Sequence, residues 1–445
     1  MLKPARSSGR LAAILAVLGC ANATAADNFS FVGSQTSSFS SFGQTVSFEA
    51  GFATFNSLFA GLSLSGLSST WGQYNPGLPV SFTINLRGLP ASASFPNQGA
   101  TGTGALLNFS MPGLGINQSF QGADRDASIQ LLKDFLSNGS NAGRIQRGYV
   151  RASPFDPLAG NPASLEASMV ARDFAPVFNA FSSNEVEGRP QQTVLAMAPG
   201  PVSDLAQAGM SGILGGPQSF RPMPGLGAQY GNFHEQGLTA QTVTIPLSLT
   251  FRSDLDPRRQ LSLNMPIGLN NIQGATGYSV GLGGSLRYPM ATRWALVGSL
   301  GYGMTASPDL GSAGQMASAS VASSYLIRTE PVDLIIGNMI GYYRAIATTL
   351  GGISADPRIG NTAFRNGVLV SRKTDWIGGG LSLEGSLVNT YYAGTPLYSN
   401  NYTEVRVGLG SNRRADSVRG YVQGGASYLF SSRTRGFGVD LGWWF

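Results

Sequence analysis

The chain ends in Gly436-Phe437-Gly438-Val439-Asp440-Leu441-Gly442-Trp443-Trp444-Phe445, and the reading of this stretch decides the fold. Phe437, Val439, Leu441, Trp443 and Phe445 fall on every second position, with Gly438, Asp440 and Gly442 between them. A period of two is that of a β-strand, whose successive side chains leave opposite faces of the sheet. One face of this strand is continuously apolar and aromatic, and the other is mostly small or charged. The pattern recurs upstream. Val243, Ile245, Leu247, Leu249 and Phe251 share one parity, as do Leu261, Leu263, Met265, Ile267 and Leu269. Further alternating segments cover 278–288, 294–304, 317–327, 332–342, 364–370, 376–387, 402–409 and 418–430, separated by turn-rich joints such as Ser411-Asn412-Arg413-Arg414. With the last strand these make eleven segments. Most are about as long as the roughly 9–11 residues that a tilted strand needs to cross hydrocarbon. Bacterial barrels usually have even strand numbers, so the pattern predicts an antiparallel transmembrane β-barrel of 10–12 strands over 242–445. A soluble sandwich would also alternate, but here the positions between the apolar ones are often Gly, Ser, Asn, Arg or Glu, which suits a wet lumen.

Composition agrees. Charged residues make up 12% of the 445, against roughly 25% in ordinary globular domains, and 60 residues are Gly. Disorder is excluded by 42% apolar and 10% aromatic content. A mean hydropathy of +0.03 argues against a bundle of membrane helices. Of the 24 Phe, 19 precede residue 242, whereas 12 of the 15 Tyr and four of the five Trp follow it. Tyr and Trp are the residues that membrane interfaces select, so the two parts sit in different environments.

The alternating C-terminal strand with its final aromatic resembles the C-terminal recognition signal of outer-membrane β-barrels. The resemblance implies that Phe437, Val439, Leu441, Trp443 and Phe445 are read by the barrel assembly machinery, and that outer-membrane lipid surrounds the barrel. The other end of the chain reads as an export signal over 1–25: Lys3, Arg6 and Arg10, an apolar run from Leu11 to Gly19, and Ala23-Thr24-Ala25 as cleavage site. Val17-Leu18-Gly19-Cys20 offers a lipoprotein alternative. Without residues 1–25 the formal net charge of +6 falls to +3 and no cysteine remains. The expected product is therefore an exported, outer-membrane protein without disulfides. No basic stripe interleaves with aromatics, so nucleic acid is not an expected partner.

Parity also assigns the lumen. With the odd positions of the last strand facing lipid, Asp440 faces inward, and the same rule places Glu384, Glu404, Arg406 and Arg419 inside. Charges from consecutive strands can pair across the lumen wall or form a constriction for solutes.

Residues 26–185 are expected to form an exported, mixed but mostly β domain, with strands at 45–52, 79–86 and 106–111. A helix is expected over 126–137, ended by Asn138-Gly139, and a second from Asn161 to about residue 174 with Pro162 in its first turn. Asn161-Pro162-Ala163 is similar to a hatch segment of long-chain fatty-acid transporters over three residues, too few to carry an expectation. Residues 186–241 hold sixteen Pro or Gly and read as a linker or a segment threaded through a pore. The order of signal, N-terminal domain, linker and barrel resembles that of autotransporter-type proteins. It implies a barrel that anchors and displays residues 26–185 in adhesion or envelope contact, with a pore-spanning helix suggested only at 204–210. A solute channel or hydrophobic-compound transporter plugged by the N-terminal part is the alternative.

Enzyme chemistry is not expected. The single histidine, His234, lies before the first alternating segment, and the Gly277-Tyr278-Ser279-Val280-Gly281 match lies inside a strand pattern with no helix after it. One His without cysteine falls short of the ligands of a zinc-type site, Asp124-Arg125-Asp126 is too short for a calcium loop and reads as a helix cap, and no phosphate- or cofactor-binding loop is found.

Overall fold

The computed structural model describes residues 27–36, 45–98, 104–137, 139–179, 220–253, 256, 258–350, 353–374, 380–411 and 421–444. The export signal, with Cys20, lies outside the described residues, as do Arg419, Phe445 and the 204–210 segment.

The N-terminal part is a six-stranded antiparallel sheet packed on helices. Its strands are β1 (Phe29–Thr36), β2 (Thr45–Phe52), β3 (Val80–Leu86), β4 (Leu89–Gln98), β5 (Ala105–Met111) and β6 (Ile116–Gly122), in the spatial order β2-β1-β3-β4-β5-β6. β3 shows why: Val80, Phe82, Ile84 and Leu86 are buried, and Ser81, Thr83 and Asn85 are exposed. Arg87 and Gly88, both at positive φ (53° and 88°), make the two-residue turn into β4, as a twisted hairpin requires. Phe31 meets Phe52 at 5.5 Å and Phe82 at 5.4 Å between ring centroids, so the Phe-rich start of the chain is the core of this sheet.

The described residues of this part also form five helices: α1 (Phe55–Leu62) and α2 (Leu64–Thr70) between β2 and β3, and α3 (Arg125–Ser137), α4 (Gly139–Ala152) and α5 (Leu165–Asn179) after β6. Thr54 and Ser57 form a reciprocal capping box on α1, and the Asp124 carboxylate accepts from the Ala127 N–H at 2.8 Å to cap α3. α3 ends at Ser137 as the sequence predicts, and a further helix that it did not predict, α4, begins at Gly139.

The second part is a closed antiparallel barrel of twelve strands. They are β7 (Phe220–Glu235), β8 (Leu238–Ser253), β9 (Gln260–Ile272), β10 (Ala275–Ala291), β11 (Trp294–Ser307), β12 (Ser312–Arg328) and β13 (Val332–Ile346). After a small ribbon of β14 (Thr348–Leu350) and β15 (Ile353–Ala355) come β16 (Gly360–Thr374), β17 (Leu381–Gly394), β18 (Asn401–Ser411), β19 (Tyr421–Phe430) and β20 (Arg435–Trp444). β20 closes on β7, from Arg435 opposite His234 to Trp444 opposite Gly225.

The linker expected over 186–241 therefore ends sooner, and the barrel begins at Phe220 instead of 242. β7 is the strand that alternation missed, because Pro222, Pro224, Gly225, Gly227 and Gly231 imitate a linker. The prolines are tolerated because, among the described residues, 220–224 pair with β8 alone, as an edge would. Outward positions are apolar on strand after strand, with Leu300 68% and Leu282 60% exposed.

The N-terminal domain caps the barrel mouth opposite the end where β7 starts and β20 finishes. Ala240, Ile272, Ala275 and Leu310, at that mouth, belong to the domain's own core.

Candidate functional site

Two features stand out: a lumen occupied along one wall by the chain's own helix, and an open polar face on the capping domain. After α4 the chain runs through buried residues 153–161 into the lumen, where α5 packs against β10, β11, β12, β13 and β16. α5 buries the face that meets this wall, whereas Ala171 and Ala175 are exposed and Ser168, Arg172 and Pro176 half-buried, so a narrow stripe of the helix looks across the rest of the lumen. Leu165, Met169, Val170, Phe174 and Val177 meet Val297, Met316, Met339, Tyr343 and Ala363 of the wall.

The wall is cut to receive it. A Cβ at Gly283 would lie 2.7 Å from the Arg172 guanidinium carbon, one at Gly303 2.9 Å from Leu165, and one at Gly367 3.0 Å from Phe178. Gly301 faces Arg172 and Gly337 faces Val177 still more closely.

Polar groups on α5 are matched as well. Asp173 Oδ1 accepts from Arg172 Nε and Nη2 at 3.0 and 2.7 Å. Its Oδ2 accepts from the Ser318 and Tyr343 hydroxyls at 3.2 and 3.0 Å. Arg172 Nη1 also donates to the Leu282 carbonyl at 3.2 Å. Asn361 donates to the Glu166 carboxylate at 2.8 Å, and the Ser324 hydroxyl to the Val177 carbonyl at 2.8 Å. Buried charges that are paired and hydrogen-bonded in this way hold one geometry, because any displacement strands them.

Elsewhere in the lumen, Arg406 donates twice to Asp440, at 2.8 and 2.6 Å, a bidentate pair between β18 and β20. Arg365 reaches Glu404 at 3.2 Å and the Thr390 hydroxyl at 2.7 Å, and sits 5.3 Å from the Phe174 ring centroid. Glu384 is buried on β17. Of the charges assigned to the lumen from parity, Arg406 and Asp440 meet each other, and Glu404 meets Arg365. Arg365 joins them, and the same parity, opposite Phe364, marks it as inward. Arg172, Asp173 and Glu166 carried no such signal, because a helical segment does not say what surrounds it.

Phe437, Val439, Leu441 and Trp443 all project from the outer surface of β20. Ser279 lies on β10 level with Gly268, Thr244 and Gln229, whereas His234 is five residues along β7 from Gln229, with Nδ1 3.1 Å from the Thr239 hydroxyl. The two are not brought together. Among the described residues no group of three or more His, Cys, Asp and Glu is placed to hold a metal.

The domain is fixed to the mouth by buried polar contacts. Arg87 pairs with Asp156 at 2.7 Å, both fully enclosed, and donates to the Leu310 carbonyl at 3.4 Å. Its guanidinium lies 4.4 Å from the Tyr149 ring centroid. Burial pushes the Tyr149 phenol up to about 12, an effect that Arg87 opposes and Asp156 adds to. Asn28 donates to the Ile272 carbonyl at 2.9 Å, and the Tyr398 and Ser399 N–H groups donate to Val150 and Gly160 carbonyls at 2.9 and 3.0 Å.

The opposite face of the sheet is open. Strand register aligns Ser47, Ser34, Ser81, Ser94, Asn108 and Ser119 in one row. The adjacent row is Glu49, Val32, Thr83, Ser92, Ser110 and Asn117. Hydroxyls and amides thus cross six strands with one carboxylate among them, around a shallow concavity of about 310 Å3.

No protein-family model matches the sequence, and no curated protein matches it. Solved structures similar to it include the β domain of the Bordetella autotransporter BrkA, with 11% identity, a TM-score of 0.40 and coverage of 50% of this chain and 98% of that one. The translocator domain of the autotransporter NalP from Neisseria meningitidis gives 13%, 0.39, 54% and 92% in the same order. An outer membrane channel from Pseudomonas putida gives 12%, 0.37, 51% and 96%.

Proposed function

We propose that the chain is an outer-membrane anchor that holds its N-terminal domain rigidly over one mouth of the barrel and stoppers the lumen with α5. The observation that carries this reading is the path of the chain: domain on one mouth, α5 through the lumen, β7 starting at the far end. The outer surface supports a lipid setting, since apolar side chains cover it strand after strand, and closure of the sheet leaves no unpaired strand edge. If the C-terminal strand is read from the periplasmic side, as the resemblance to outer-membrane barrels implies, the end bearing Trp444 faces the periplasm and the domain faces outward. The displayed surface is then the hydroxyl and amide face, whose neutral hydrogen-bonding groups suit a polyhydroxylated ligand such as a glycan.

A conduit for solutes is the weaker reading, because α5 takes up the part of the lumen that lies along β10, β11, β12, β13 and β16. Protease treatment of intact cells tests the proposal. Accessibility of an epitope placed at Gly113, in the β5–β6 turn, is expected; full protection of residues 27–164 on intact cells, with cleavage after permeabilisation, would overturn the outward orientation.

A further inference from the structure

We infer that the barrel pairs with a second copy of itself through a row of amides on its lipid-facing side. Register aligns Ser323 on β12, Asn338 on β13, Asn366 on β16, Asn389 on β17 and Thr403 on β18. Asn338 and Asn366 are exposed outward, between Ile336 and Ile340 on one strand and Phe364 and Val368 on the other. They sit at the centre of the apolar band. Arg344 lies three outward positions from Asn338 toward one mouth, and Arg372 three outward positions from Asn366 toward the other. On the other side of the barrel the corresponding outward positions are Leu263, Met265, Ile267, Val280 and Leu282. The row is therefore a local feature of one wall.

Asn389 is supplied within the chain, donating to the Asn401 side-chain oxygen at 2.8 Å and the Thr403 hydroxyl at 3.1 Å. Among the described residues, nothing hydrogen-bonds the side chains of Asn338 or Asn366. An amide with no partner in hydrocarbon is costly, and membrane-spanning segments relieve that cost by hydrogen-bonding across an interface. A second copy fits better than another partner for two reasons. Each amide both donates and accepts, so the row is complementary to itself and needs no opposite charge. Two copies inserted in the same sense can be related only by an axis along the membrane normal. Such an axis between β13 and β16 sets Asn338 against Asn366 of the partner subunit, twice, in an isologous contact.

The full-length protein in liposomes at low surface density tests this by counting photobleaching steps. Two steps are expected for the wild type, and N338L/N366L should weaken pairing by about tenfold or more, which is the scale of one or two membrane hydrogen bonds. Retained shift in gel mobility on heating reports that the variant barrel is still folded. In parallel, N338C and N366C chains co-inserted and oxidised should form a heterologous cross-link that L282C chains do not. Single steps for the wild type would overturn the inference and point to lipid or water as the partner of the amides. Pairing unaltered by N338L/N366L, or cross-linking through L282C alone, would overturn it equally.

Discussion

Replacing Asp173 by Ala tests the stopper directly. The carboxylate accepts two bonds from Arg172 and one each from Ser318 and Tyr343. Its removal leaves the Arg172 guanidinium, whose side chain is only 8% exposed, with the Leu282 carbonyl at 3.2 Å and the Ser318 hydroxyl at 3.3 Å. Breaking one side of a buried pair costs about 3–5 kcal/mol, mostly as the penalty of the charge left behind. If α5 can leave the lumen, that cost shifts the ratio of closed to open barrels by a factor of roughly 10² to 5 × 10³. The assay is current across planar bilayers containing the full-length protein, paired with thermal melting. Wild type should be nearly silent, and Asp173→Ala should show openings, a lower melting temperature, or both. Asp173→Asn keeps an acceptor for Tyr343 and should fall between. An Asp173→Ala protein as silent and as heat-stable as wild type would refute the reasoning that the pair holds α5 in place.

Three further outcomes are expected. Arg87→Ala leaves Asp156 buried without its cation and should loosen the domain by about 3–5 kcal/mol, read as faster proteolysis of residues 27–164 with the barrel intact. For Tyr149, the folded phenol titrates near 12 and the unfolded one near 10, so its contribution is complete below about pH 10 and disappears as pH rises to about 12. The difference in stability between wild type and Tyr149→Phe, followed by Trp71 fluorescence, should therefore change across that window and be constant below it. On the lipid face, Leu282→Arg should destabilise the barrel by about 2–4 kcal/mol in denaturant titrations in lipid, whereas the same change in detergent-free water-soluble sandwiches would be nearly neutral.

The barrel was legible because each strand carries its two solvents in its alternation. Leu263, Met265 and Ile267 can face only one way once Asn264 faces the other. β7 was not, since Pro222 and Pro224 read as linker residues, and only the register shows that among the described residues they pair with β8 alone. α4 ran against local propensity: Gly143 and Gly148 weaken a helix. Their value is close approach, with a Cβ at Gly148 only 2.7 Å from Leu89 and Gly143 tight against the Asp356 backbone. The helical pattern that reached α5 was visible from Asn161 onward, but its surroundings were not. Leu165, Met169 and Phe174 make an apolar stripe equally suited to a soluble core, and only the glycines of the wall show that the stripe belongs inside a barrel.

Those glycines bear on how the protein is made. Ser318, Ser324, Tyr343 and Asn361 find their partners on α5 alone among the contacts described above, and the hollows at Gly283, Gly301, Gly337 and Gly367 are filled by the same segment. A barrel that closed around empty space would be an unfinished fold, with loose side chains and water where packing should be. Closure of the barrel and the seating of α5 are therefore parts of one folding event: the wall reaches the packing and hydrogen bonding seen here only with that segment inside it.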